Sequence, residues 1–225
     1  MDKLHVKAWA ELGALTLAMA LLIFIPAGTV RYWQAWEFLV LFVAGSSLTN
    51  LYLIRHDRSL LCRRVKAGPT AEKLTTQKAV MGIATVGLAG LLVISALDHR
   101  YDWSTRSLVP VVAGNVLVAA GFYIVFLVYR QNTYTSATIE IAADQTVVSA
   151  GPYALLRHPM YSGSLLFLLG MPLALGSYWG LAVLVPILGV LIWRIAEEEK
   201  LLTKSLPGYA EYRDKVHSRL IPGVF

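Results

Sequence analysis

Long apolar stretches divide the chain into six segments, each close to the length that crosses a lipid bilayer. They lie at 8–27, 33–54, 78–97, 107–129, 160–177 and 178–195. About 20 apolar residues in a helix span a hydrocarbon core of about 30 Å. Because lipid cannot hydrogen-bond a bare backbone, such segments are expected to be helical. The pattern predicts an all-α integral membrane protein with about six transmembrane helices.

The last two apolar segments are joined almost without a loop. The residues between them are Gly176-Ser177-Tyr178-Trp179-Gly180, and glycine and serine favour turns. We therefore predict a tight C-terminal helical hairpin. Such a hairpin places the start of the fifth segment and the end of the sixth on the same side of the bilayer.

Two further segments are predicted to be only partly helical. The basic linker after the second apolar segment, at 55–73, is expected to rest on lipid headgroups and to be broken at Gly68-Pro69. The tail at 206–216 predicts a short amphipathic helix. The residues at 220–225 are expected to fold back onto the protein.

Composition and charge agree with a membrane protein. The chain is 56% hydrophobic and 15% charged, with a mean hydropathy of +0.58 and a net charge of +6. With six spans, all the Lys and Arg residues except Arg31, Arg100 and Arg106 fall on the side that holds both chain ends. The positive-inside rule then predicts cytoplasmic termini. We attribute the positive charge to topology and anionic lipid headgroups rather than to nucleic acid.

Neither a disulfide nor a metal site is expected. Cys62 is the single cysteine of the chain, which excludes an intrachain disulfide. The predicted outer loop at 98–103 contains Asp98, His99 and Asp102, whose side-chain atoms suit a metal ion. Because three such residues on a short exposed loop are commonly solvated charges, we expect no metal there.

A polar stretch at 151–163 precedes the fifth apolar segment and carries most of the candidate chemistry. It contains Tyr153, Arg157, His158 and Tyr161, among prolines and glycines that predict a kinked beginning to the helix. Polar groups at the mouth of a membrane helix usually face protein or water, because lipid cannot satisfy them. The alternative is an interfacial belt, in which the arginine reaches the headgroups and the tyrosines anchor the helix.

A second polar cluster lies at the end of the sixth apolar segment. Spacings of three and four residues place Arg194 on the same helical face as Glu197 and Glu198. The predicted hairpin brings this cluster to the side of the 151–163 stretch. The polar loop at 129–150 feeds into that stretch and is predicted to form a lid or pocket wall. Together these segments offer cations, carboxylates and aromatic faces, an inventory that suits S-adenosylmethionine.

These residues resemble the isoprenylcysteine carboxyl methyltransferase family. The resemblance rests on Gly151-Pro152-Tyr153, Arg157-His158-Pro159, Tyr161, Gly163, Arg194, Glu197-Glu198 and a tail with Tyr209, Tyr212 and Pro222. The related phospholipid N-methyltransferases share the Arg-His-Pro-x-Tyr-x-Gly and Glu-Glu elements. On this basis residues 131–225 form a methyltransferase-like cofactor-binding region. Residues 1–130 contribute four transmembrane helices and a basic cytoplasmic linker at 55–77.

The resemblance implies an integral membrane methyltransferase that uses S-adenosylmethionine. The cofactor would reach its pocket from the cytoplasm, and a lipophilic or prenylated acceptor would arrive from the bilayer. Arg194 would orient the acceptor, with a carboxylate as the first choice, and Glu198 would serve both catalysis and cofactor binding. The other cofactor-binding residues that it implies are Asn132, Tyr153, Arg157, His158, Pro159, Tyr161, Gly163 and Glu197.

The chemistry itself asks little of the protein. A methyl sulfonium is already activated, so catalysis needs mainly proximity, alignment and exclusion of water. A carboxylate acceptor is ionised at neutral pH, whereas an amine must lose a proton, to Glu198 or to water. Three alternatives stay open: a phospholipid or small-lipid N-methyltransferase, a membrane NADPH-dependent reductase of related fold, and a transporter or lipid-binding protein. The spans lack the paired short or interrupted segments that transporters often show.

Overall fold

The regular elements of the structure, a computed structural model, are all helices within the residues that it describes. These residues are 3–65, 71–72, 75–105, 107–139, 141–142 and 144–224. The helices are α1 (Lys3–Ala27), α2 (Trp33–His56), α3 (Arg58–Val65), α4 (Thr75–Tyr101), α5 (Leu108–Gln131), α6 (Pro159–Ala174), α7 (Trp179–Ser205) and α8 (Tyr209–Lys215), with a 3₁₀ helix at Gly151–Ala154. The prediction of an all-α membrane protein is confirmed in this part of the chain.

The number of long spans differs from the prediction of six. Five helices, α1, α2, α4, α5 and α7, are long and apolar enough to cross a membrane. The remaining apolar helix, α6, has only 16 residues. In contrast, α7 continues for ten residues beyond its predicted end at 195, because the polar segment that follows keeps the helical conformation.

The predicted hairpin of α6 and α7 is confirmed, and its sequence explains both of its ends. Pro159 is the first residue of α6. At this position a backbone N–H has no acceptor within the helix, so the missing N–H of proline costs nothing. At the other end Gly176 adopts a φ of +73°, a left-handed conformation that costs glycine little. The Ser177 amide then donates to the Pro172 carbonyl at 2.8 Å, which closes the turn into α7.

Two pairs of glycines bring α5 and α6 into backbone contact. A Cβ atom added to Gly121 would lie 2.6 Å from the Gly163 carbonyl oxygen, and one added to Gly170 would lie 2.6 Å from the Gly114 carbonyl oxygen. Small residues of this kind allow helices in membranes to approach closely. The short helix α6 is therefore fixed along its length against the long helix α5.

The core lies where the long helices and α6 meet. Ile23 of α1, Phe38 of α2, Leu91 of α4, Val118 of α5 and Met171 of α6 are each 0% exposed and belong to one apolar cluster. The outer faces of the long helices keep large apolar side chains exposed. Lipid covers such side chains in a membrane, so the helix bundle is apolar on both its inner and outer faces.

Both ends of the described chain lie at one end of the bundle, which we call the open end. There the start of α1 meets the end of α2, α3 and the end of α5 in a second apolar cluster. This cluster contains the buried residues Ala8, Leu53, Leu60, Leu61 and Tyr129. The start of α6 packs on it through Met160. The assignment of this end to the cytoplasm stays a prediction.

The opposite end, which we call the closed end, is held by hydrogen bonds around Asp98. This carboxylate is 2% exposed. It accepts from the Ser104 amide at 2.7 Å, the Ser104 hydroxyl at 2.6 Å and the Ser177 hydroxyl at 2.5 Å. The expectation that Asp98 is a solvated loop charge is therefore wrong. It is a buried acceptor that joins the end of α4 to the α6–α7 turn.

The linker and the tail agree with the predictions where they are described. The linker contains α3, whereas the break expected at Gly68-Pro69 lies outside the described residues. The short helix expected in the tail is α8. Beyond it the chain folds back onto the start of α6. Two hydrogen bonds hold it there: the His158 amide donates to the Arg219 carbonyl at 3.0 Å, and the Ser162 hydroxyl donates to the Leu220 carbonyl at 2.7 Å.

Candidate active site

A cavity at the open end gathers most of the predicted site residues. It lies between the loop after α5, the start of α6, the end of α7 and α8. Its volume without the open mouth is about 120 Å³, below the roughly 300–1,000 Å³ that is typical of small-molecule sites, so a ligand the size of a cofactor would have to move part of its walls. The predicted site residues in its lining are Asn132, Tyr153, Arg157, His158, Pro159, Tyr161, Arg194 and Glu198.

Two predicted site residues lie elsewhere. Gly163 faces α5, in the close helix contact described above. Glu197 lies on the outer side of α7, where its carboxylate is 2.7 Å from the Lys200 ammonium. Successive residues of a helix are rotated by about 100°, so neighbouring glutamates need not face the same surroundings. The assignment of these two residues to cofactor binding stays a prediction without a contact to the cavity.

Glu199 is a buried carboxylate that the sequence analysis missed. Its Oε1 lies 3.0 Å from Arg157 Nε and 3.2 Å from His158 Nε2, and its Oε2 accepts from Arg219 Nε at 3.1 Å. The signal was its position four residues after Ile195, which places both side chains on one face of the helix. Glu199 fixes the cation and the imidazole of the central motif in place.

Tyr161 links the predicted catalytic pair. Arg194 and Glu198 are four residues apart on α7 and face the same side, as their spacing predicts. They meet through the Tyr161 hydroxyl, which accepts from Arg194 Nε at 3.0 Å and donates to Glu198 Oε2 at 2.6 Å. A cation, a phenol and a carboxylate therefore form one continuous chain of charge-assisted hydrogen bonds beside the cavity.

Two residues that no motif indicated complete the surroundings of Arg194. Glu72 Oε1 lies 2.9 Å from Nη2, and Gln77 Oε1 accepts from Nη1 at 3.0 Å. Nη2 also donates to the Ala137 carbonyl at 3.2 Å. Glu72 is 3% exposed and Gln77 is 0% exposed. Both partners come from the region between α3 and the first turn of α4, far from α7 in sequence, so local patterns could not connect them.

The loop after α5 forms one wall of the cavity, as predicted. Asn132 donates to the Tyr153 hydroxyl at 2.9 Å, which ties the start of the loop to the 3₁₀ helix. From the other side, Arg63 of α3 donates to the Thr133 carbonyl at 2.7 Å. Residues from Tyr134 onward then contribute to the lining. The loop is therefore held between α3 and the central motif.

Three tyrosines present neutral hydroxyls around the cavity. Burial raises the pKa of Tyr153, Tyr209 and Tyr212 above the ordinary value of 10.0, and the Glu199 carboxylate adds to the effect at Tyr209. The Tyr212 hydroxyl donates to the Tyr153 carbonyl at 2.7 Å. The Tyr209 hydroxyl is buried, and within the described part of the chain it makes no hydrogen bond.

Residues 109–207 match the family model of the phospholipid methyltransferases. The matched region begins at the start of α5 and ends after α7, so it contains the central motif and the arginine–glutamate cluster. A comparison with curated proteins found no match. The family match indicates a membrane methyltransferase, in agreement with the expectation from the resemblance. Glu72 and Gln77 lie outside the matched region.

Proposed function

We propose that this protein is an S-adenosylmethionine-dependent methyltransferase that acts on a lipophilic acceptor at the membrane surface. The observation that carries the proposal is the arrangement of Arg157, His158, Tyr161 and Glu198 around one cavity, within the region similar to phospholipid methyltransferases. This cavity lies at the open end of the bundle, where lipid would border one side and solvent the other.

The groups around the cavity fit the chemistry of S-adenosylmethionine. A carboxylate end would bind Arg157, which Glu199 orients at 3.0 Å. Ribose hydroxyls or an ammonium group would bind Glu198 and Asn132. The Tyr209 hydroxyl, which is buried beside the cavity and makes no hydrogen bond to the described residues, provides a further polar contact. Aromatic faces such as that of Tyr153 suit an adenine ring or a sulfonium.

The residues of the chain would orient the acceptor and exclude water. When bound, the cofactor supplies a methyl group that is already activated by its positive sulfur. The acceptor atom then forms a bond to the methyl carbon while the carbon–sulfur bond breaks and sulfur keeps the electron pair. Alignment in a closed site supplies most of the catalysis of such a transfer. The loop after α5 and α8 would provide that closure.

A carboxylate is the first candidate acceptor, as in isoprenylcysteine-type methyl ester formation. Arg194 would orient it, and no general base is needed because a carboxylate is ionised at neutral pH. An amine lipid is a second candidate, and one observation favours it. Arg194 is already paired with Glu72 at 2.9 Å, whereas Glu198 lines the cavity and would accept the proton that an amine must lose.

We place the cavity on the cytoplasmic side. The basic residues of α3 and the Arg130 position at the end of α5 lie at the open end of the bundle, where both described chain ends also lie. The positive-inside rule supports this orientation. It would let a soluble cofactor bind from the cytoplasm while the acceptor stays in the bilayer.

Calorimetric titration of the detergent-purified protein with S-adenosylmethionine, and separately with NADPH, tests the proposal. We expect saturable binding of S-adenosylmethionine alone and a loss of affinity of about tenfold in Glu198→Gln, because a charged hydrogen bond is lost. The exposed Glu211 of α8 gives the matched control, Glu211→Gln. Binding of NADPH instead would select the reductase alternative, and binding of neither would remove the enzymatic proposals.

A second experiment identifies the acceptor class. The protein is incubated with a membrane lipid extract and cofactor carrying a labelled methyl group. Methyl esters release the label in mild base, whereas N-methyl groups retain it. A base-labile product supports the carboxylate candidate, and a base-stable product supports the amine candidate.

A further inference from the structure

We propose that Glu72 is an internal competitor for Arg194, so that an anionic acceptor binds this guanidinium only by displacing the Glu72 carboxylate. The inference rests on the proposed function, because it concerns the acceptor side of the same site. It assigns a specificity-determining role to a residue outside both the region similar to phospholipid methyltransferases and the motifs of the sequence.

The Glu72 carboxylate is inserted between α7 and the wall of the cavity. Its Oε1 lies 2.9 Å from Arg194 Nη2, and its Oε2 accepts from the Ile139 amide at 3.3 Å. The side chain is 1% exposed, and that of Arg194 is 10% exposed. This ion pair is therefore shielded from the solvent that weakens exposed pairs.

The other donors of Arg194 are also engaged. Nε donates to Tyr161, Nη1 to Gln77, and Nη2 to the Ala137 carbonyl in addition to its contact with Glu72. A carboxylate binds arginine best through two parallel N–H groups on one edge. On the Nε–Nη2 edge Tyr161 already accepts from Nε, and on the Nη1–Nη2 edge Gln77 accepts from Nη1, while Nη2 is shared between the Ala137 carbonyl and the contact with Glu72. An incoming carboxylate thus has to replace one of these partners.

The charge balance makes Glu72 the partner that matters. Around Arg194 stand two carboxylates, Glu72 in direct contact and Glu198 through the Tyr161 hydroxyl. A third carboxylate would meet a negative field, and like charges at close range weaken binding strongly. Removal of the Glu72 charge returns one net unit of positive charge to this corner of the site.

The position of Glu72 makes its displacement feasible without rearrangement of the bundle. It belongs to the linker between α3 and α4 rather than to a membrane-spanning helix. Gln77, in contrast, is part of the first turns of α4 and is fully buried. The carboxylate is thus the partner of Arg194 that can leave while the helices stay in place.

The test compares two soluble probes with the same alkyl chain, octanoate and octylamine. Their affinities are measured by calorimetry on the full chain in nonionic detergent, saturated with S-adenosylhomocysteine. We expect Glu72→Gln to bind octanoate about tenfold more tightly than the wild type does, with no gain for octylamine. Glu211→Gln removes one exposed carboxylate and serves as the matched control, for which both affinities should stay unchanged.

The proposal is overturned if octanoate binds Glu72→Gln no more tightly than the wild type, if it binds neither, or if octylamine gains equally. Should Glu72→Gln fail to fold, Glu72→Asp keeps the charge but withdraws it by one methylene, and a smaller gain for octanoate is expected. S-adenosylmethionine titrated into the same preparations separates the two proposals. Absence of cofactor binding rejects the proposed function, whereas cofactor binding with an unchanged octanoate affinity rejects only the role of Glu72.

Discussion

The two ends of the α6–α7 hairpin both contain buried carboxylates, yet they use them differently. At the closed end Asp98 is surrounded by serine groups, and the Ser177 hydroxyl also accepts from the Gly180 amide at 3.0 Å. At the open end Glu199 is surrounded by Arg157, His158 and Arg219, which are charged or able to carry a charge. The closed end is a compact junction, whereas the open end lines a cavity.

The difference indicates where ligands bind. A buried polar group usually has all its hydrogen-bond partners within the protein, and this describes Asp98. At the open end Glu198 faces the cavity, and the buried Tyr209 hydroxyl has no hydrogen bond within the described residues. The open end combines such groups with a cavity, so it is the candidate site, whereas Asp98 at the closed end joins helices and serves stability.

The strongest test of the comparison is Arg194→Ala. The substitution leaves the Glu72 carboxylate buried without its cation, so we expect a stability loss of about 3–5 kcal/mol and no methyl transfer. Thermal unfolding in detergent and transfer of labelled methyl groups measure the two effects. The control is Arg213→Ala, in an exposed part of α8. An unchanged melting temperature would contradict the role given to this ion pair.

At the closed end, Asp98→Ala should lower stability without affecting the site. Its three serine donors would lose their acceptor, which costs about 1–3 kcal/mol. The folded fraction should still bind S-adenosylmethionine with wild-type affinity in calorimetry. A loss of affinity that exceeds the loss of folded protein would show that the two ends are coupled and that the comparison is too simple.

Tyr212→Phe should have a smaller effect that depends on pH. It removes the hydrogen bond to the Tyr153 carbonyl, which is worth about 1 kcal/mol. Because burial raises the pKa of Tyr212, its folded form stays neutral above pH 10.0 while the unfolded phenol ionises. The free energy of unfolding of the wild type should therefore fall as pH rises above that value. The free energy of unfolding of the variant should fall less steeply. Equal slopes in alkaline unfolding titrations would reject this contribution.

The smallest effect is expected for Glu197→Ala. The motif resemblance assigns Glu197 to cofactor binding, but its carboxylate lies outside the cavity and pairs with Lys200 at 2.7 Å. Partly exposed pairs of this kind contribute about 0–1 kcal/mol. We expect unchanged S-adenosylmethionine affinity in calorimetry. A loss comparable to that of Glu198→Gln would restore the sequence-based assignment.

The spans were predictable because hydropathy accumulates over about 20 residues and tolerates local errors. Their ends were less so. The end of α7 lies at Ser205, because a mostly polar segment, with Leu201 and Leu202 as its only large apolar residues, continues the helix after Ile195. The sequence predicted α6 as a full span because the helix is apolar throughout. It is apolar because it packs closely against α5 through glycine contacts, although the helix itself is short.

The site was predictable where the hairpin alone brings residues together, as for Tyr161, Arg194 and Glu198. It was not predictable where the partner comes from a distant part of the chain. Nothing in the local sequence relates Glu72 to Arg194, because their ion pair exists only after α4 and α7 have packed. Likewise, membership in a motif did not reveal that Gly163 faces α5.

The glycine contacts between α5 and α6 also limit the routes by which a hydrophobic molecule could reach the cavity. Where two backbones touch, as at Gly121 and Gly163, no acyl or prenyl chain can pass between the helices. This contact between α5 and α6 is therefore closed to lipid chains. A lateral route from the bilayer to the cavity would therefore run beside this contact rather than through it.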